Sequence, residues 1–206
     1  NPLLVPQPVT TIYNNPSPGR ILLCNIKTVN YPSTTMIANN DGSLFYSQDQ
    51  DVAIDFRRQP NGLLTFYGYA QYYSVDASYN RIDSFACGNG YSTDGHELQI
   101  LNNEHALLMC YDSQYVDMSA VIAGGNPNAI VIGLVIQEID KNKNVVFQWR
   151  SWDHVDILDG VDVNFLASAV DYIHGNAIEL DYDGNLLISS RHLNEISKIS
   201  RSTGEF

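Results

Sequence analysis

The sequence predicts an all-β chain, a β-propeller of which about three blades are present. Two observations carry that prediction. Short segments rich in β-branched and aromatic residues, punctuated by Asn, Asp, Gly, Ser and Pro clusters, recur along the chain, whereas sustained helical periodicity does not. A strand–turn–strand unit also repeats. Val75-Asp76-Ala-Ser-Tyr-Asn80-Arg-Ile-Asp-Ser-Phe85 matches Ile139-Asp140-Lys-Asn-Lys-Asn144-Val-Val-Phe-Gln-Trp149, and Ile199-Ser200-Arg-Ser-Thr-Gly204-Glu-Phe206 begins the pattern again. Asp76, Asp140 and Ser200 lie 64 and 60 residues apart, a spacing suited to propeller blades with generous loops.

Taken in order, the candidate strands are 20–25, 43–47, 53–56, 63–67, 72–76 and 81–86, then 97–101, 106–111, 130–140 and 145–152, and finally 177–180, 185–191 and 195–200. The strand 43–47 follows the turn signal Asp41-Gly42. The strands 72–76 and 81–86 flank the turn from Asp76 to Asn80; 130–140 and 145–152 flank its copy from Asp140 to Asn144. Asp183-Gly184 separates 177–180 from 185–191. Only 161–172 offers room for one short helix. We divide the chain into N-terminal strands over 1–60, an incomplete blade, and blades over 61–206 that stop within the third repeat's returning strand.

A second repeat carries histidines. His96-Glu-Leu-Gln-Ile-Leu aligns with His174-Gly-Asn-Ala-Ile-Glu-Leu, with a one-residue adjustment assigned to the following turn. The innermost strands of a propeller line its channel, so His96 and His174 are expected to converge there. If residues 181–184 form the hairpin loop, Leu180 pairs with Asn185 and His174 lies opposite Arg191; a loop one residue longer pairs His174 with His192 instead. Strand alternation puts His192 on the face opposite Arg191. His105 sits at a hairpin turn and reads as a surface residue. His154, in Trp149-Arg-Ser-Trp152-Asp-His154, reads as the rim of a pocket.

Hydrophobic residues make up 44% of the 206 and charged residues 17%, values of a globular chain. No run of 18 apolar residues is present, so no membrane span is expected. The chain opens on Asn1 rather than Met and reads as a processed or excised piece. A net charge of −12 argues against nucleic acid and anionic membranes as partners, since both are bound through basic patches. Against that acidic background, a cation beside His174 marks a local pocket for an anion. Cys24, Cys87 and Cys110 allow at most one disulfide and lack metal-ligand spacing; they read as small buried hydrophobes. No metal site is assigned.

The string Asp171-Tyr-Ile-His174-Gly-Asn176 followed by Ser189-Ser190-Arg191-His192 resembles the arylsulfotransferase (aryl-sulfate sulfotransferase) family. Asp94-Gly-His96-Glu-Leu and Phe147-Gln-Trp149 with Trp152-Asp-His154 support the likeness, which covers about residues 60–206. The resemblance implies a six-bladed propeller, secreted or periplasmic, that moves a sulfuryl group from a phenolic sulfate ester to a phenol. It implies no nucleotide donor and no cofactor, and small-molecule aryl sulfates and phenols as partners. A histidine forms a sulfohistidine intermediate in that family, and no residue of this chain matches it. By matching, Arg191 stabilises the sulfuryl oxygens, His96 and His174 hydrogen-bond the same group or handle the phenol proton, and Asn176 and His154 contact substrate. The competing expectation is a non-catalytic propeller that binds a glycan or peptide through aromatics such as Tyr67, Tyr69, Tyr72 and Tyr73. Oligomeric state is not legible in the sequence.

Overall fold

A computed structural model describes residues 5–206; the first four residues of the 1–60 segment lie outside it. The described residues form fifteen strands in four sheets and no α-helix. The chain divides into two compact units, the second beginning at Ala86.

The first unit holds two antiparallel sheets of chain-consecutive strands. One contains β1 (Arg20–Asn25), β2 (Ser33–Asn39) and β3 (Leu44–Gln50); the other contains β4 (Ile54–Arg58), β5 (Leu64–Gly68), β6 (Gln71–Val75) and β7 (Arg81–Phe85). Ile37, Phe56, Phe66 and Val75 form its buried core. In the second unit, β8 (Ser92–Ile100), β9 (Ala106–Val116), β10 (Ala129–Ile139) and β11 (Val145–Arg150) form a meander, and β12 (Ala169–Asp171) adds in parallel to the first residues of β10. The last sheet is β13 (Gly175–Leu180), β14 (Leu186–Ser190) and β15 (Glu195–Ile199). Leu107, Met109, Leu134, Ile136, Ile178, Ile188 and Ile199 from both sheets share one core.

One turn recurs through both units. At 39–43, 59–63, 76–80, 101–105, 140–144 and 181–185, the first residue's N–H donates to the fifth residue's carbonyl, and the fourth residue's N–H donates back to the first's carbonyl. The fourth residue is left-handed each time, from φ 63 at Tyr79 to φ 88 at Gly62. This is the three-residue hairpin loop, a type I turn closed by one left-handed residue. Asp76 and Asp140 explain the repeat legible in the sequence. Each carboxylate accepts two backbone N–H groups of its own turn, including that of Asn80 or Asn144.

Several expectations are corrected. The segment 161–172 forms no helix; its last residues enter β12, paired to β10. The strand β2 was not anticipated, because Ser33-Thr-Thr-Met-Ile-Ala is buried on both faces and shows no alternation. Cys87 and Cys110 are not separate small hydrophobes but form a disulfide, with Cα atoms 6.3 Å apart. His105 is not a bare surface residue: its Nδ1 lies 2.6 Å from Oε1 of Glu138, a buried carboxylate that also pairs with Arg201. No described helix is long and apolar enough to cross a membrane.

Candidate functional site

Two bulged strand ends build the site. Along β8, Thr93 pairs with Cys110, but the next paired residue is Leu98, opposite Leu108. Residues 94–97 are therefore thrown out of the ladder as a wide bulge. Bulges re-aim side chains that a regular strand would fix to one face. Asp94 stays buried inside this bulge. Its Oδ1 accepts the His96 backbone N–H at 2.8 Å and lies 2.7 Å from His96 Nδ1. The His96 side chain, 40% exposed, is held by the residue two positions before it.

A second Asp does the same for His174. Asp171 Oδ1 accepts the His174 N–H at 3.0 Å, and Oδ2 lies 2.6 Å from His174 Nδ1. Here the backbone is left-handed at His174, φ 48, a conformation that costs a non-glycine residue about 1–2 kcal/mol. The Asp171 clamp offsets that cost. The next residue, Gly175, lies in a tight place: a Cβ there would stand 2.8 and 2.9 Å from the two Leu134 methyl carbons and 3.1 Å from Met109 Sδ, so those side chains would have to shift.

The two strands are joined side by side. The buried Glu97 carboxylate accepts the Ile178 N–H at 2.8 Å, and Gln99 Nε2 donates to the Ile178 carbonyl at 2.7 Å. These bonds bring the His96 and His174 rings edge to face, with centroids 5.2 Å apart. The strand bodies match with Leu101 to His105 equivalent to Asp181 to Asn185. The length difference between the repeats therefore lies between each histidine and its turn, not in the turn itself as the sequence suggested.

The hairpin register combines both alternatives open in the sequence. At the turn the register is that of the second alternative, pairing Leu180 with Leu186 rather than Asn185. A bulge at Asn176 then absorbs one residue, so Gly175 pairs with Ser190 and the Arg191 N–H donates to the His174 carbonyl at 2.8 Å. His174 and Arg191 stand opposite after all. Asn176 and Arg191 are both exposed.

His192 is placed by a turn, where strand alternation no longer applies. The strand β14 ends at Ser190, and Arg191–Leu193 is a 3-10 turn closed by left-handed Asn194. The turn swings His192 to within 5.5 Å of His174, centroid to centroid, and puts its Nδ1 2.5 Å from the Asp171 carbonyl. Asn194 was the available signal, since Asn is a common left-handed helix terminator. His154 takes another position: it stacks on Trp149 at 5.4 Å, with Phe206 edge-on, in a groove with Gly204 and Arg201. Tyr72 is wholly buried and so offers no face to a ligand. Among the described residues no cluster of three or more His, Cys, Asp or Glu side chains is placed to hold a metal ion.

The family model for arylsulfotransferase (ASST) matches residues 9–206. The chain belongs to the arylsulfotransferase family. The match extends well upstream of residue 60, where the resemblance was expected to begin. No curated protein matches the chain. Among solved structures, this arylsulfotransferase-family chain is similar to a crystal structure of a protein of unknown function from Bacteroides caccae, with 11% identity and a TM-score of 0.52. The similarity covers 90% of this chain and 55% of that one, so the chain spans about half of that structure's length. At that identity the likeness concerns fold alone.

Proposed function

We propose that this chain forms part of an aryl-sulfate sulfotransferase, secreted or periplasmic, that moves a sulfuryl group between phenols through a histidine intermediate. Its sheets are read as propeller blades, with β8 and β13 as innermost strands of neighbouring blades. The observation that carries the reading is the His96–His174 pair, 5.2 Å apart, each with Nδ1 on the carboxylate of its own Asp. Such an imidazole keeps Nε2 for the substrate, and the carboxylate behind it stabilises the charge that develops when Nε2 takes a proton. Protonated Nε2 groups donate to sulfuryl oxygens. Arg191 adds a permanent cation whose forked donors match paired oxygens. The disulfide supports the compartment, since such bonds persist in oxidising surroundings.

In the first displacement a histidine outside these residues attacks sulfur, the S–O bond to the donor breaks, and the leaving phenolate takes a proton. In the second, the acceptor phenol's oxygen attacks the same sulfur while losing its proton, and the imidazole is released. His96, His174 and Arg191 hold the sulfuryl oxygens through both steps, with Asn176 assigned to the rest of the substrate.

The test uses the full-length protein with p-nitrophenyl sulfate and phenol. Nitrophenol release that requires the acceptor is expected, and Arg191→Ala should lower kcat/KM by about 10²–10³. Absence of release from the folded wild-type protein refutes the reading and leaves a ligand-binding domain.

A further inference from the structure

Three imidazoles meet at this site, and the family motifs assign roles to only two of them. We infer that His192 is the general base that takes the proton of the acceptor phenol, a role that rests on the sulfuryl-transfer reading above. A backbone carbonyl can only accept, so the His192 Nδ1 that lies 2.5 Å from the Asp171 carbonyl must be the protonated nitrogen. In the neutral ring, the free lone pair is therefore at Nε2. The ring is partly buried beside His174, with centroids 5.5 Å apart.

The partners separate the three rings. His96 and His174 each have a carboxylate at Nδ1, from Asp94 and Asp171. A carboxylate suits a ring that carries a proton and a positive charge against the sulfuryl oxygens. Among the described residues, His192 Nδ1 has the neutral Asp171 carbonyl and no carboxylate as its hydrogen-bond partner. A ring so held is suited to offering a lone pair and receiving a proton at Nε2. Asp171 serves both arrangements at once: its carboxylate holds His174 and its carbonyl holds His192, so the cation-bearing and proton-accepting rings are fixed by one residue. The balance is simple. As the phenol oxygen forms its bond to sulfur and the S–N bond of the sulfohistidine breaks, the phenolic proton passes to His192 Nε2, which later returns it to solvent.

The experiment compares two acceptors in the full-length enzyme, with 4-methylumbelliferyl sulfate as donor. Phenol, with a pKa of about 10, brings its proton to the site at neutral pH. p-Nitrophenol, a far stronger acid, arrives almost wholly ionised when both acceptors are assayed at about pH 8.5, where phenol still keeps its proton, and needs no base. His192→Gln should slow transfer to phenol by about 10² or more while slowing transfer to p-nitrophenol by less than tenfold. His192→Ala should show the same contrast. Equal losses with both acceptors, or no loss with either, overturns the inference while leaving the sulfuryl reading intact. If the wild-type enzyme forms no sulfated product with either acceptor, the sulfuryl reading falls and this inference falls with it.

Discussion

The strand ends that carry His96 and His174 solve one problem with different backbones. Each places an aspartate just upstream of its histidine, and each aspartate accepts both the histidine's N–H and its Nδ1. At His96 the support is a buried bulge anchored from behind. The neighbouring Thr93 pairs with Cys110, which is tied by the disulfide to Cys87, and Thr93 Oγ1 accepts the Cys87 N–H at 2.9 Å. At His174 no covalent anchor is present. A left-handed residue is held by Asp171 on one side and by the Arg191 N–H on the other. The first end is rigid through cross-links to its own sheet; the second depends on the groups that form the site. Repeat units can therefore share a functional geometry while drawing their stability from unrelated sources.

That contrast can be broken by substitution. The largest effect is expected from Asp171→Ala, which removes the clamp on His174, leaves a strained backbone and disturbs the His174 carbonyl that receives Arg191. A loss of about 10³ in kcat/KM is expected, against about 10² for Asp94→Ala, whose histidine keeps a cross-linked strand behind it. Equal losses in a transfer assay would show that the backbone difference is without consequence.

The stability arm runs the other way. Replacing Cys87 and Cys110 with serine opens a loop with a sequence separation of 23, for which chain entropy gives about 3 kcal/mol of destabilisation. Chemical denaturation of the double variant should show that loss, and activity should fall through the His96 end. A denaturation midpoint equal to wild type would mean that the bulge at residues 94–97 is held by its hydrogen bonds alone.

The smallest effect concerns the residue beside Asp171. Tyr172 is buried, its hydroxyl 2.7 Å from Ser151 Oγ, and burial pushes its pKa up to about 12 from the ordinary value near 10. Because the folded protein favours the neutral phenol, this contribution is complete below about pH 10 and is lost as pH rises toward 12. Melting temperatures measured across that window should fall more steeply for wild type than for Tyr172→Phe. Parallel curves would remove Tyr172 as a support of the His174 end.

The strands and turns were legible because their signals are local. The Asp76–Asn80 and Asp140–Asn144 turns satisfy their own backbone groups within five residues, so the repeat survives in the sequence as a spacing. β1 was bounded at Arg20 and Asn25 from composition alone. The three-residue β12 was not, because it is held by pairing with β10, some forty residues earlier. His96 and His174 were legible as a pair through the repeat and the family motif, and the structure brings their rings together through bonds the motif does not contain.

The sequence by itself determined the all-β class, the spacing of the repeats, the family and the two Asp–His segments, since each depends on residues close together in the chain. Tertiary structure alone decided the Cys87–Cys110 pairing, the Glu97 and Gln99 bonds to Ile178, the bulge at Asn176 that restores the opposition of His174 and Arg191, and the place of His192. The physical reason is common to all four. Each depends on where one strand lies against another, and a bulge or turn of one residue reverses which face a side chain occupies.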